Sequence, residues 1–409
     1  MNFRWIVLAG SLSAALAGCG SPAPEFRRYE TFAHKTALSV GEDYVFTAAQ
    51  RQDIDEALEA LFGTPDDPAI PAVEGASGLL RLDMLQLAAG SVRSDELGQS
   101  QGLYREHCAH CHGITGDGLG PTAAFLNPYP RDYRPGKFKF KSTPIGQRPT
   151  HDDLKKIVHD GVPGTAMPSF ALLPDFEQEA LVDYVKYLSV RGEVERQLLY
   201  ETAQLSDGER LVDIHGGDAA KKHEQLEALK TFAGDVVAKW TSAAEKQTPV
   251  PARPELSSEA DLVASRKRGQ ALFYGTVANC VKCHGETALG DGQTTDFDEW
   301  TKEFTEGKPE KEREYVRLGM LPPRNIHPRN LRLGVYRGGM RPIDLYWRVR
   351  NGIEGTPMPA STMKPEGDPN AKGLSEEDLW DIVNYVQSLP YEAISDPNAS
   401  EPENMRERS

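Results

Sequence analysis

The chain has 409 residues, 61 acidic against 46 basic side chains and a formal net charge of −15. Its mean hydropathy is −0.51 and aromatic residues make up 8%. An acidic, aromatic-poor chain of this kind argues against nucleic acid as a partner, and the length predicts more than one domain.

Residues 1–19 read as an export signal. Arg4 gives a positive start, and Trp5 to Ala17 is an apolar stretch too short to span a bilayer. Leu16-Ala17-Gly18-Cys19 resembles the lipobox of bacterial lipoproteins, in which cleavage leaves the cysteine as a lipidated first residue. That resemblance implies an exported chain, anchored to a bacterial membrane by lipid on Cys19, with its body in the periplasm. No other stretch is apolar over the length of a transmembrane helix.

Residues 20–97 are expected to form a tether and an N-terminal helical extension. A helix is predicted over 47–62 from Ile54, Leu58 and Leu61, with Gly63 beyond its end. A second, short apolar segment runs from Leu79 to Ala89. The extension is expected to pack on the domain that follows it.

Residues 98–190 and 266–390 then repeat one another. Leu103-Tyr104 and Leu272-Phe273-Tyr274 precede Cys108-Ala-His-Cys111-His112 and Cys280-Val-Lys-Cys283-His284. Gly116-Asp117-Gly118 and Gly290-Asp291-Gly292 follow, then Pro130-Arg131 and Pro328-Arg329, then Gly164-Thr-Ala-Met167-Pro168 and Gly355-Thr-Pro-Met358-Pro359. Each segment closes on one helical frame: Leu181, Tyr184, Val185 and Leu188 against Ile382, Tyr385, Val386 and Leu389. Matched order over so many landmarks predicts a duplicated domain. The stretch between Gly285 and Pro328, longer than its counterpart and rich in charge, is expected to be a surface insertion. Residues 191–265 read as a linker, helical along Leu226, Leu229, Phe232, Val236 and Trp240 and extended at Thr248-Pro-Val-Pro-Ala-Arg-Pro254. Residues 391–409 form a polar tail.

Four of the five cysteines lie in the two C-x-x-C-H runs. Such a run offers two thiols for thioether bonds to porphyrin vinyl groups, and the histidine beside them as the proximal ligand of the iron. A redox thiol pair does not need that histidine, and a structural zinc site needs two further ligands nearby. Two covalently bound haem c groups are therefore expected. A methionine recurs after each run within Gly-Thr-x-Met-Pro, so Met167 and Met358 are the expected second axial ligands. Met320, Met340 and Met363 have no counterpart in the first repeat. His107 and His110 flank the first run, and the scattered His151, His159, His215, His223 and His327 read as surface or capping residues.

On these motifs each repeat resembles a small single-haem cytochrome c domain of the class I type. The resemblance implies a mainly α fold, two tandem helical domains each wrapped round one covalent haem. Cys108, Cys111, Cys280 and Cys283 would be the thioether sites, His112 and His284 the proximal ligands, Met167 and Met358 the distal ones. It also implies that a proline carbonyl accepts the proximal histidine's N–H. Pro121 fits that role in the first domain, whereas Gln293 stands at the matching place in the second. Arg131 and Arg329 are candidates to pair with haem propionates. The function expected is electron transfer in an extracytoplasmic respiratory chain, between a redox donor and acceptor, alone or as a subunit of a membrane oxidase or dehydrogenase. The alternative is an enzyme, a dihaem peroxidase or a sulfur-compound dehydrogenase. A peroxidase needs one iron open to substrate, which two matched methionine loops oppose, and no cysteine is spare for a sulfur-oxidising site.

Overall fold

A computed structural model describes residues 24–391 apart from 207, 208, 214–216, 366, 369 and 370. The expected export signal with Cys19, His215 and the tail beyond 391 lie outside the described residues. Among these residues no helix is long and apolar enough to cross a membrane.

Secondary structure is almost wholly helical. The first half contains α1 (Glu30–Val40), α2 (Ala48–Phe62), α3 (Ala76–Leu79), α4 (Leu82–Ala88), α5 (Leu103–His107), α6 (Ala109–His112), α7 (His151–Asp160), α8 (Asp175–Ala203) and α9 (Ala219–Thr241). The second contains α10 (Glu259–Tyr274), α11 (Val281–His284), α12 (Glu299–Thr305), α13 (Pro309–Arg317), α14 (Pro342–Asn351) and α15 (Glu376–Ser388). Among the described residues the one sheet is a pair of two-residue antiparallel strands, β1 (Arg93–Ser94) and β2 (Ser100–Gln101). Local signals set several helix starts. Thr47 with Gln50, Thr150 with Asp153 and Ser375 with Asp378 form capping boxes that satisfy backbone N–H groups otherwise left unpaired. The predicted helix over 47–62 is α2, and Gly63 follows it in a left-handed φ of 70°.

The axis of the first half is α8, 29 residues long and buried on most of its surface. The helices α1, α2, α4, α7 and α9 pack around it. It continues past residue 190 because Val190, Val194, Leu198 and Leu199 extend its apolar surface, which α1, α2 and α9 cover. The segment read as a linker thus joins the first core: Leu229, Ala233, Val236, Val237 and Trp240 of α9 are buried there. Charges on α8 lie buried but partnered, as burial requires. Asp183 meets Arg81 and Lys186. Glu193 meets Arg148 and the Trp240 Nε1–H.

In the second half α10 crosses α15 at Gly269, where a Cβ would collide with the Asp381 carbonyl oxygen. The glycine lets the two backbones meet, and Ser265 and Arg268 on the same helix hold the Asp381 carboxylate.

The stretch between Gly285 and Pro328 corrects an expectation. It is charged, but its short helices are two-faced. Phe304 and Tyr315 enter the hydrophobic core of the first half, while Lys35 and His34 of α1 bond Glu303 and Glu314 from the same helices. The insertion is thus a clasp between the halves rather than a surface excursion. Further bonds tie the halves together. Asn351 Nδ2 donates to the Ser142 carbonyl (3.0 Å), and Lys141 Nζ lies 2.8 Å from Glu354 Oε2 with both side chains 3% exposed.

Candidate functional site

Each C-x-x-C-H run makes one helical turn. The His112 N–H donates to the Cys108 carbonyl, and the His284 N–H to the Cys280 carbonyl, both at 2.9 Å. Positions i, i+3 and i+4 share a helix face, so both thiols and the imidazole of each run face the same way. Gly113 and Gly285 end these turns with φ of 74° and 81°. A Cβ at either would strike the carboxylate of Asp117 or Asp291.

The acceptor for each proximal histidine differs from the one the resemblance implies. His112 Nδ1 lies 3.0 Å from the Arg131 carbonyl oxygen, and His284 Nδ1 lies 3.1 Å from that of Arg329. A carbonyl only accepts, so Nδ1 carries the proton and Nε2 keeps its lone pair for a metal. Pro121 is exposed ahead of a short 3-10 turn. The Pro-Arg segment passes under each histidine because Gly118 and Gly290 leave room: a Cβ on Gly118 would sit 2.8 Å from the Pro130 carbonyl oxygen. The second half therefore does not lack this partner. The same geometry moves the glycine pairing. Gly118 and Gly290 donate to the His112 and His284 carbonyls at 2.9 and 2.8 Å. The counterpart of Gly290-Asp291-Gly292 is thus Gly118-Leu119-Gly120, two residues beyond the expected match.

The methionine loops are alike bond for bond. The Thr165 hydroxyl donates to the Val162 carbonyl (2.8 Å) and accepts the Met167 N–H (3.2 Å). The Thr356 hydroxyl does the same with the Ile353 carbonyl (2.8 Å) and the Met358 N–H (3.2 Å). The Val162 and Ile353 N–H groups close the loops on the Met167 and Met358 carbonyls, both at 3.1 Å. Gly161 and Gly352 follow α7 and α14 with positive φ, and a Cβ at either would hit the backbone just beyond the methionine.

The structure brings all eight predicted residues to one cavity of about 740 Å³. Cys108, Cys111, His112, Met167, Cys280, Cys283, His284 and Met358 all line it. His107 and His110, which flank the first run, line it too, as does His327, read as a surface or capping residue. Among the alternative methionines, Met320 packs against the first core and Met363 against the second, while Met340 is exposed. Burial pushes the Cys108 thiol up to about 12, helped by Cys111, and Cys280 up to about 11. A redox pair shows the opposite shift, so these cysteines are not poised as thiolates. Burial also pushes His112 down to about 4, against its bond to Arg131, so the imidazole is neutral and able to ligate.

The cavity fits a porphyrin in its charges as well as its ligands. Its lining includes Arg131, Lys139, Arg329 and Arg337. Among the described residues none of the four is in an ion pair, and the Arg337 Nε is buried with no hydrogen-bond partner. Burial lowers Arg131 to about 10 and Lys139 to about 7. Unpaired cations in a low-dielectric setting are costly, and the carboxylates of haem propionates are the anions they lack. Sequence reasoning reached the two arginines after proline but missed Lys139 and Arg337, which nothing in their local pattern distinguishes. It also missed Tyr133, which stacks on His112 at 4.7 Å and 19°. The matching place in the second half is Leu331, so the two imidazoles have different neighbours: Tyr133 N–H donates to Gly116 and Leu331 N–H to Ala288.

Two family models match the chain. Residues 266–390 match the family described as cytochrome c, and residues 95–185 match cytochrome C oxidase, cbb3-type, subunit III. No curated protein matches significantly. Among solved structures, the chain aligns with one chain of the Kuenenia stuttgartiensis reducing HAO-like protein complex Kustc0457/Kustc0458. The identity is 23%, over 73% of this chain and 97% of that one, with a TM-score of 0.44.

Proposed function

We propose that this chain, whose two halves are cytochrome c-like helical domains, is an exported dihaem electron relay, lipid-anchored through Cys19. Each half would hold one haem: Cys108 and Cys111 as thioether sites with His112 and Met167 on the iron, and Cys280 and Cys283 with His284 and Met358. Bound there, haem supplies one-electron chemistry. The chain's own residues do the rest. The Arg131 and Arg329 carbonyls fix the imidazole orientation and raise its basicity. The threonine-pinned loops hold each thioether at a fixed height, and the apolar lining keeps water out. A thioether ligand raises the reduction potential and fills the last iron position.

The observation that carries this reading is the bond-for-bond identity of the two methionine loops over one cavity. It supports two closed irons and a carrier, and weighs against a peroxidase, which needs one of them open. The match of residues 95–185 to an oxidase-subunit family supports a redox partner of the oxidase kind, with a second protein as donor.

Acid-extracted protein should keep two haems per chain by pyridine haemochrome assay, and Cys283→Ala should compromise the second alone. Ferrous wild-type protein should bind carbon monoxide poorly, and Met358→Ala should admit it at the second haem only. Carbon monoxide binding by the wild type, with peroxide turnover at about 1–10³ per second, would transfer the assignment to a peroxidase. Lipidation is read separately: Cys19→Ala should abolish fatty-acid labelling, and labelling that survives rules the anchor out.

A further inference from the structure

The two arginines after proline reach across the molecule. Arg329 belongs to the second half and its carbonyl accepts from His284. Its guanidinium, steadied by an Nε–H bond to the Val335 carbonyl at 2.8 Å, lies against Gly164 of the first half's methionine loop. A Cβ on Gly164 would stand 2.5 Å from Arg329 Nη2 and 3.1 Å from Cζ. Gly164 has a φ of 74°, so glycine is needed there both for the turn and for the arginine's approach.

The mirror arrangement uses one more residue. Arg131 belongs to the first half, and its carbonyl accepts from His112. Its guanidinium stacks on the Trp300 ring, 3.9 Å from the centroid. Trp300 comes from α12 of the second half and covers Gly355, the glycine of the second methionine loop, so closely that a Cβ there would enter the indole. Gly355 is the counterpart of Gly164, with a φ of 77°.

We propose that Arg131 and Arg329 couple the two iron sites crosswise. Each gives its carbonyl to the proximal histidine of its own half and braces the methionine loop of the other half with its guanidinium, Arg329 directly at Gly164 and Arg131 through Trp300 at Gly355. This rests on the dihaem reading above. With haem bound, the residue that orients one half's proximal imidazole would also set how firmly the other half's methionine is held. The two sites would then respond as a pair rather than independently.

The test needs a signal from one haem at a time. In a Met358→His background the second haem loses its methionine-to-iron charge-transfer band, so the remaining band reports the first. Adding Arg329→Gln should weaken or shift that first-half band and the first haem's potential, although the substitution lies in the second half. Arg329→Lys keeps the charge but falls short of Gly164, and should restore little of the band. In a Met167→His background, Arg131→Gln, a first-half substitution that removes the guanidinium stacked on Trp300, should do the same to the second-half band. That mirror variant stands in should Arg329→Gln fail to fold. Arginines acting only within their own half would leave each cross-half band unmoved, and that result with two haems present overturns the coupling. A haem count other than two per chain instead overturns the dihaem reading on which it rests.

Discussion

Changing Glu354 to Gln should loosen the joint between the halves. The Lys141–Glu354 pair spans them at 2.8 Å with each side chain 3% exposed, and Glu354 lies within the second methionine loop that Ile353 and Met358 close. Removing one partner of a buried pair costs about 3–5 kcal/mol, because the other charge is left uncompensated. Here Lys141 Nζ keeps bonds to the Pro144 and Gln147 carbonyls at 2.5 and 2.6 Å, and Gln retains an acceptor for the Gly146 N–H. The loss should therefore sit at the lower end, about 3 kcal/mol, or roughly a hundredfold in the folding constant. Burial pushes the Lys141 ammonium down and Glu354 opposes it. Without Glu354 the folded-state value drops further below the unfolded one. The penalty falls on the charged form, so the deficit should shrink as pH rises toward about 10. Guanidinium unfolding of the holoprotein at pH 7 and pH 10 reads both effects. The double variant Lys141→Met with Glu354→Leu removes both charges and should return close to wild type. A single variant within about 0.5 kcal/mol of wild type, or a double variant as unstable as the single, would refute the reasoning.

Three further outcomes are expected. Burial pushes the Glu179 carboxyl up, but hydrogen bonds from Lys155, Arg81 and His151 outweigh it and hold it at about 2. Its stabilisation is thus present above the ordinary value of 4.5 and lost as pH falls through about 2. Glu179→Gln should cost about 1–2 kcal/mol at neutral pH, after discounting for its partly exposed partners, and should flatten the acid limb of a stability–pH curve. Phe304→Ala should cost about 3–5 kcal/mol by thermal or chemical unfolding, since the ring lies in the first half's core; an effect near zero would return the insertion to the surface. Gly161→Ala should abolish the methionine-to-iron band of the first haem and spare the second, because its Cβ would meet the Pro168 carbonyl at a φ of 66°.

Some of this was legible along the chain because its physics is short-ranged. A C-x-x-C-H run places thiols and imidazole on one helix face whatever surrounds it. Gly-Thr-x-Met-Pro closes on itself through the threonine hydroxyl, and the caps at Thr47, Thr150 and Ser375 need only three residues' reach. The repeat and the mainly helical fold could therefore be read in order. What tertiary structure decided was every contact whose partners lie far apart in sequence. The carbonyl under each histidine comes from Arg131 or Arg329, because a glycine-lined passage admits that segment and leaves Pro121 outside. The charge-rich insertion turns Phe304 and Tyr315 inward because they join the first half's hydrophobic core beside α1. The helix α8 continues through residue 203 because α1, α2 and α9 cover its far end. The approach of Arg329 to Gly164 and of Trp300 to Gly355 exists only once two domains are packed on each other, and periodicity within one chain segment carries no information about which face a second segment will cover.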